Sequence, residues 1–247
     1  MSKPSRIWII GASDGIGREL ARQYAAEGAR LVLSARRQDA LQALADEIGG
    51  AEIRPLDVAD RASLDAAASA IAAGGSLDRI VHLAALYDPG RIADLDPDMA
   101  ARIVTVNLTG TFHVAQVGPP LLRRGGQLAL CGSVAGYVGL PQGQIYSASK
   151  AGVINLAESL RAERSDLDIR LICPGFVETR LTEKNEFRMP ALIQPDKAAT
   201  AIRTGLARGG FEIHFPHRLT RSLKLIRALP YWLSLPLTRR LSREDSA

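Results

Sequence analysis

A glycine-rich turn near the start of the chain constrains the fold most. Four apolar residues, 7–10, lead directly into Gly11-Ala12-Ser13-Asp14-Gly15-Ile16-Gly17, and a helix is predicted from about residue 15. A dinucleotide site needs this strand–turn–helix order, because glycines let the backbone approach a pyrophosphate and the helix N-terminus offers unpaired N–H groups. Taken alone, the turn is equally consistent with an ordinary tight turn.

Apolar runs alternate with amphipathic stretches along the rest of the chain. Strands are predicted at 7–10, 30–34, 52–56, 79–83, 127–131, 169–173 and 211–215, and helices at 15–28, 39–48, 61–73, 98–123, 146–165 and 195–208. Such alternation, with several strands that read as continuous Ile, Val and Leu runs, is typical of a parallel sheet covered on both faces. We therefore predict one doubly wound α/β domain of the Rossmann type with about seven strands, with the catalytic part at 1–216 and an extension at 217–247.

A second constellation follows in the later half. Lys150 lies four residues after Tyr146, and Ser133 lies thirteen residues before the tyrosine. In a helix this spacing places the amine and the phenol on one face. An ammonium there favours the phenolate, so we expect the pKa of Tyr146 to lie below its usual value of roughly 10. A phenol tuned in this way is suited to general acid–base catalysis.

At these residues the sequence resembles the short-chain dehydrogenase/reductase family, from about residue 6 to residue 215. The resemblance implies an enzyme that interconverts a carbonyl and a secondary alcohol by hydride transfer with a nicotinamide cofactor. It implies that Tyr146 is the general acid or base, that Lys150 stabilises the phenolate and holds the nicotinamide ribose, and that Ser133 donates to the substrate carbonyl. It also implies that Asn107 holds a water in a proton relay.

The end of the second predicted strand points to one form of the cofactor. It reads Leu33-Ser34-Ala35-Arg36-Arg37, and no acid stands where a carboxylate would grip both ribose hydroxyls. Because a guanidinium pairs with a 2′-phosphate and a carboxylate would repel it, we predict NADP(H), with Arg36 as the main contact and Ser34 or Arg37 as helpers. The alternative is that both arginines only solvate the start of the next helix.

The resemblance assigns further cofactor contacts. Besides the turn residues Gly11, Ser13, Asp14, Gly15, Ile16 and Gly17, and besides Tyr146 and Lys150, they are Asp57, Val58, Ala84, Ala85, Pro174, Gly175, Val177 and Thr179. Asp57 would accept from the adenine amino group, or else serve as an ordinary helix cap. The chain departs from the family pattern at Ile10, where threonine is usual, and at His82-Leu83, where two asparagines are usual. We interpret His82 as a structural substitute.

Composition excludes several classes of protein. The chain of 247 residues carries a net charge of +5, but its basic residues are spread along helices without a recognition-helix or zinc pattern, so nucleic-acid binding is disfavoured. The two cysteines and four histidines have no metal-ligand spacing. The first apolar run is too short for a signal-peptide core, and no segment has the ~20 apolar residues that span a bilayer. A cytoplasmic protein is expected.

The motifs are compatible with two further functions. Within the same class the chain could reduce 3-oxoacyl thioesters, and in a different class it could bind NADP(H) without turnover, as a sensor or scaffold. The small residues Ala148, Ala151 and Gly152 favour close helix packing and hence a homo-oligomer. The irregular stretch 180–195, with Phe187, Met189 and Leu192, suggests a mobile substrate lid.

The C-terminal stretch 217–243 is both basic and apolar. Its basic residues are Arg218, Arg221, Lys224, Arg227, Arg239, Arg240 and Arg243, and we expect Pro230 and Pro236 to break it into short helical pieces. Three interpretations are possible: a helix at a membrane surface, an arm packed over the substrate pocket or a partner subunit, or a core helix with a solvated face.

Overall fold

The protein folds around one parallel sheet. The computed structural model describes residues 5–183 and 189–241, without the side chains of residues 240 and 241. The strands are β1 (Arg6–Ile10), β2 (Arg30–Ser34), β3 (Glu52–Ile53), β4 (Leu77–His82), β5 (Leu122–Cys131), β6 (Asp168–Pro174) and β7 (Glu212–Phe215). Their order across the sheet is β3-β2-β1-β4-β5-β6-β7, and all pairings are parallel. The predicted doubly wound fold is confirmed.

Helices cover both faces of this sheet. They are α1 (Gly15–Ala26), α2 (Gln38–Glu47), α3 (Arg61–Ala73), α4 (Pro97–Val104), α5 (Gly110–Val117), α6 (Gln144–Glu163), α7 (Pro195–Ala207), α8 (His217–Ala228) and α9 (Tyr231–Leu241). Helices α1, α2 and α7 bury apolar residues in one core cluster, and α3, α5, α6 and α8 bury theirs in the other. Because β1 contributes Ile7 and Ile9 to the first and Trp8 and Ile10 to the second, the strand is buried on both sides.

The strand order places the site. Strand β1 pairs with β2 on one side and with β4 on the other, so the chain changes direction across the sheet at β1. In open parallel sheets, a crevice forms beyond the carboxyl ends of the strands at such a switch point. The glycine turn after β1 and the segments after β4, β5 and β6 therefore meet at one edge.

The prediction of one continuous helix over 98–123 is wrong. Helix α4 passes into a π-helical turn, Thr105–Thr109, before α5 resumes, and a 3-10 turn, Pro119–Leu121, follows. The consecutive prolines cannot donate the backbone bonds of an α-helix, so the helix ends before them. The chain is already extended at Leu122, where β5 begins by pairing with Leu77. Strand β5 is therefore longer than the predicted 127–131.

Smaller corrections concern β3 and the tail. Strand β3 has two residues instead of the predicted five, although Arg54 N still donates to Leu33 O and Leu56 N to Ala35 O. Pro230 separates α8 from α9 as expected. Pro236, however, lies inside α9 and does not end it. Within the described residues, no helix is long and apolar enough to cross a membrane.

Candidate active site

A cleft of about 470 Å³ collects nearly all the predicted site residues at the carboxyl edge of the sheet. Its walls include Gly11, Ser13, Asp14, Gly15, Ile16, Gly17, Arg36, Arg37, Asp57, Val58, Ala84, Ala85, Ser133, Tyr146, Lys150, Pro174, Gly175, Val177 and Thr179. Two predicted residues, Ser34 and Asn107, do not line it. Sequence positions spread over most of the chain are thus brought together by the parallel topology.

The glycine turn is closed tightly against its neighbours. Gly11 has a φ of +93°, and a Cβ there would lie 2.6 Å from the backbone nitrogen of Ala84. A Cβ on Gly17 would lie 2.1 Å from the Gly11 carbonyl oxygen. Only glycine fits at these positions, so the N-terminus of α1 is held directly beside the carboxyl end of β4. This backbone cradle is the shape that a pyrophosphate requires.

The two arginines after β2 both line the cleft. Arg37 donates to the Ser13 carbonyl at 3.2 Å and lies 3.5 Å from the Asp14 carboxylate, which caps α1 by accepting from Gly15 N. Arg180, from the segment after β6, also lies 3.5 Å from Asp14. Both arginines after β2 are exposed, and the residue before them is Ala35, so position 35 offers no carboxylate that would repel an anion.

The structure does not bring Ser34 to the cleft. Its side chain is fully buried on the other side of β2, where its hydroxyl accepts from the indole nitrogen of Trp8 at 2.9 Å. Only its carbonyl oxygen faces the turn, accepting from Gly11 N and Ala12 N. A hydroxyl engaged inside the core cannot also contact a 2′-phosphate, so the predicted helper role of Ser34 is wrong.

Asp57 and His82 occupy distinct positions. Asp57 lines the cleft, and its carboxylate accepts from Ala59 N at 3.0 Å, whereas the cap of α3 is Asp60. His82 is buried at the end of β4, with Nε2 3.1 Å from the Thr111 hydroxyl. Since that hydroxyl donates to the Asn107 carbonyl at 2.5 Å, Nε2 carries the proton. His82 therefore links the sheet to α5, and it is not among the residues that line the cleft.

The chemical end of the cleft is built on α6 and on a short turn after β5. Lys150 is 2% exposed, donates to the Cys131 carbonyl at 2.8 Å and lies 5.7 Å from the ring centre of Tyr146. Ser133 caps a 3-10 turn, Val134–Gly136, by accepting from Ala135 N at 3.1 Å, and it lies near enough to Tyr146 to lower the pKa of that phenol. A Cβ on Gly136 would lie 2.7 Å from the Lys150 backbone. This close approach brings the serine to the tyrosine.

Asn107 supports the chemical end of the cleft through hydrogen bonds. It lies in the π-helical turn and is fully buried. Its side chain accepts from Leu86 N at 2.7 Å, donates to Leu86 O at 2.8 Å and donates to the Ser149 hydroxyl at 3.1 Å. Ser149 in turn donates to the Tyr146 carbonyl at 2.7 Å. Asn107 thus ties the loop after β4 to the first turn of α6, which holds Tyr146 in place.

The expected depression of the tyrosine pKa is wrong for this structure. Burial raises the pKa of Tyr146 above its usual value, and the hydrogen bond from Ser133 offsets only part of that rise. Burial also lowers the pKa of Lys150. The expectation counted the attraction between ammonium and phenolate, whereas removal of the phenol from water is the largest influence on its pKa. Burial in the cleft therefore favours the phenol of Tyr146 over the phenolate.

Sequence reasoning missed Tyr87. It lines the cleft, and its ring packs edge-on against Tyr146 with 4.7 Å between ring centres. Burial raises its pKa to about 12. Its place in the segment after β4, two residues beyond Ala85, is the signal that would have found it. Of the proposed lid, Phe187 lies outside the described residues, while Ile193 forms a β-bridge with Val177.

Comparison with known proteins agrees with this geometry. The family model of short chain dehydrogenases matches residues 5–189. The chain belongs to the short-chain dehydrogenase/reductase family. An uncharacterized oxidoreductase of Myxococcus xanthus is 34% identical over 243 residues, covering 94% of this chain and 96% of that protein.

Two solved structures of the family show the same fold. An alcohol dehydrogenase from the archaeon Thermococcus sibiricus, complexed with 5-hydroxy-NADP, has a TM-score of 0.80 and 26% identity, covering 86% of this chain and 96% of that one. A short chain dehydrogenase/reductase from Burkholderia phymatum, in complex with NAD, has a TM-score of 0.80 and 25% identity, covering 90% and 92%. This protein is accordingly a family oxidoreductase that binds a nicotinamide cofactor.

Proposed function

We propose that the protein is an NADP(H)-dependent oxidoreductase that interconverts a carbonyl and a secondary alcohol, with Tyr146 as the general acid and base. The observation that carries this proposal is the convergence of the Tyr146 phenol, the Ser133 hydroxyl and the Lys150 amine in the same cleft as the glycine turn. A protein that only binds the dinucleotide needs the cradle but has no use for a buried lysine beside a tyrosine.

The proposed work of each side chain follows from its surroundings. Ser133 donates to the substrate oxygen and stabilises the negative charge that grows there in the transition state. Tyr146 delivers the proton in reduction, for which its raised pKa keeps it ready, and accepts it in oxidation. Lys150 lies close enough to stabilise the phenolate that remains after the proton has left. Asn107 positions Tyr146 through Ser149.

The cofactor end supports NADP(H). The glycine turn and the start of α1 would hold the pyrophosphate, Asp57 would meet the adenine, and Arg36 with Arg37 would pair with a 2′-phosphate. Val177 and Thr179, after β6, would orient the nicotinamide side. When bound, the reduced nicotinamide supplies the hydride.

A homo-oligomer is part of the proposal. Phe112 on α5 is 45% exposed, and Ala148 and Ala151 on α6 are exposed as well. Gly152, by contrast, is used within the chain, because a Cβ there would lie 2.9 Å from Leu108. We expect Ala148→Arg to reduce the molar mass measured by light scattering. An unchanged mass would remove α6 from the interface.

The deciding experiment is a substrate panel. NADPH and NADH oxidation is followed by absorbance with simple ketones, quinones and 3-oxoacyl thioesters. We expect turnover of at least one ketone with NADPH favoured. Preference for the thioester alone would select the acyl-thioester reductase instead, and tight NADPH binding without turnover of any panel member would favour the sensor or scaffold.

A further inference from the structure

Helix α9 buries small polar side chains and exposes large apolar ones, which is the opposite of an ordinary surface helix. Its buried side chains are small and polar, Ser234 and Thr238, while Trp232 is 74% exposed and Leu235 is 61% exposed. Ser234 and Thr238 are four residues apart and so face the protein together. Trp232 and Leu235 are three residues apart and face outward together. Packing in the monomer thus leaves the large apolar face uncovered.

The uncovered face extends beyond these two side chains. Tyr231 is 81% exposed, and Leu233 and Leu237 are each 37% exposed. On α8, Leu225 is 66% exposed although Thr220 and Leu223 of the same helix are buried. Isolated exposed leucines are normal on protein surfaces, but several large apolar side chains on consecutive turns mark an interaction surface. We call the exposed residues of α8 and α9 the tail surface.

The charged residues of the tail surface are all positive. Residues 217–241 contain six lysines and arginines and no aspartate or glutamate. Lys224 pairs with Glu212, which fixes α8 to the edge strand β7. The guanidinium groups of Arg218 and Arg221 are exposed and make no ion pair with any acid in the described part of the chain. The surface therefore combines unpaired positive charge with exposed aromatic and aliphatic side chains.

We propose that the tail surface docks the enzyme on an anionic lipid membrane. Arginines interleaved with tryptophan, tyrosine and leucine suit the headgroup boundary, where the apolar side chains enter the acyl region and the guanidinium groups meet lipid phosphates. A second copy of the chain fits poorly, because a two-fold contact would bring these like charges together. A nucleic acid would pair with the arginines but would leave the leucines against water.

Docking there places the cleft near the membrane. Leu219 at the start of α8 packs against Gly175, which lines the cleft, since a Cβ on that glycine would lie 3.1 Å from the leucine. Helix α8, which carries part of the tail surface, therefore also borders the site. A membrane-docked enzyme of this shape would draw a lipophilic substrate from the bilayer boundary.

The test uses full-length protein and vesicle flotation. Vesicles of equal parts phosphatidylcholine and phosphatidylglycerol are compared with vesicles of phosphatidylcholine alone. We expect wild type to float with the anionic vesicles, and the floating fraction to fall when NaCl is raised from about 0.05 M to about 0.5 M. Trp232→Ala with Leu235→Ala should lower the partition coefficient by about tenfold or more, as should Arg218→Gln with Arg221→Gln.

Matched controls sit elsewhere on the surface. Ile92→Ala removes an equally exposed apolar side chain, Arg124→Gln removes an equally exposed charge, and both should float like wild type. Thermal melting checks that every variant is folded. Wild type that stays out of the floating fraction, or a Trp232 and Leu235 variant that floats undiminished, would overturn the proposal. So would loss of an oligomer in that variant without any change in flotation, because the surface would then bind a second copy.

Fluorescence gives an independent readout. The chain has two tryptophans, and Trp8 is fully buried while Trp232 is exposed. Insertion should shift only the Trp232 emission to shorter wavelength. Trp232→Phe keeps an apolar ring, so we expect flotation to persist while the shift disappears. A shift that persists in Trp232→Phe would place the change at Trp8 and contradict insertion of α9.

Discussion

The two ends of the cleft are held in different ways. At the chemical end, Asn107 and Lys150 are buried and fixed by short hydrogen bonds to backbone atoms and to Ser149. At the end that selects the cofactor, Arg36 and Arg37 are exposed, and Arg37 contacts its neighbours at 3.2 and 3.5 Å. The chemical end is preorganised, whereas the exposed arginines would lose side-chain freedom on binding the proposed phosphate. Substitutions at the chemical end should therefore change activity strongly, and substitutions at the end with the arginines should change cofactor preference only mildly.

The largest effect should come from the chemical end. Tyr146→Phe keeps the ring and its packing but removes the proton donor, so we expect kcat to fall by about 10²–10⁴. NADPH binding, measured by fluorescence titration, should change little because the glycine turn and the arginines are untouched.

Tyr87→Phe is the matched control, because it deletes the same hydroxyl from the ring that packs against Tyr146. We expect its kcat to stay within a few-fold of wild type. If Tyr87→Phe were the inactive variant and Tyr146→Phe the active one, the proton donor would be Tyr87 and the role proposed for Tyr146 would be wrong.

The pH dependence should differ between the two directions of reaction. A raised pKa keeps the Tyr146 phenol protonated at neutral pH, which suits reduction and hinders oxidation. We expect alcohol oxidation to accelerate by about tenfold per pH unit between about pH 7 and about pH 9, and carbonyl reduction to stay nearly constant. Steady-state rates in both directions check this. A flat oxidation profile would mean that bound cofactor and Lys150 have already produced the phenolate.

A smaller effect is expected on the free energy of unfolding, from the buried His82 at the end of β4. Burial, with the nearby Lys150 charge, lowers the pKa of His82 to about 3. Below about pH 6.5 the unfolded chain binds a proton at this residue and the folded chain does not, so stability is complete above that pH and is lost as pH falls towards 3. The loss is about 1.4 kcal/mol per pH unit, or about 2 kcal/mol at about pH 5.

His82→Asn restores the residue that the family usually carries and should flatten this part of the profile. Urea unfolding of each protein at about pH 5 and about pH 7.5 measures the slope of its free energy of unfolding against pH. The difference between the slopes of wild type and variant isolates the contribution of His82 from those of the remaining titrating groups. Equal slopes would show that the imidazole is protonated in the folded state.

The same contrast explains what the sequence revealed and what it did not. Strand–helix alternation was enough for the fold, since apolar runs such as 7–10 and 171–173 recur between helix-length stretches and leave few alternative arrangements. The helix predicted at 98–123 failed because its amphipathic pattern runs through a π-helical turn and a proline pair without interruption. The early start of β5 depends on Leu122 pairing with Leu77, a contact that no local pattern shows.

Within the site, the motifs located the residues but not their environments. Ser34 was misassigned because its direction was not considered: it shares the strand face of Val32, two residues earlier, and that face packs into the cluster of Trp8. The pKa of Tyr146 depends on how completely the cleft removes water, which spacing alone cannot supply. Tyr87 belongs to none of the motifs that carry the family resemblance. It could be found only from its position in the segment that follows β4.

The smallest effect should be at the cofactor-selecting end. Ala35→Asp places a carboxylate beside the predicted 2′-phosphate position. Two groups of like charge a few ångströms apart near a protein surface repel by about 1–2 kcal/mol after screening, so we expect the kcat/KM ratio of NADPH to NADH to fall by about tenfold. Initial rates with each cofactor at one fixed substrate concentration give the ratio.

Ala35→Ser is the control, since it adds a polar group of similar size without charge and should leave the ratio nearly unchanged. Raising the salt concentration should shrink the effect of aspartate and not that of serine, because only a charge–charge repulsion is screened. An aspartate variant with the wild-type ratio would mean that the phosphate is not held beside position 35. Arg36 and Arg37 would then be solvated residues at the start of α2, and the preference for NADP(H) would lose its structural basis while the chemistry at Tyr146 stood unaffected.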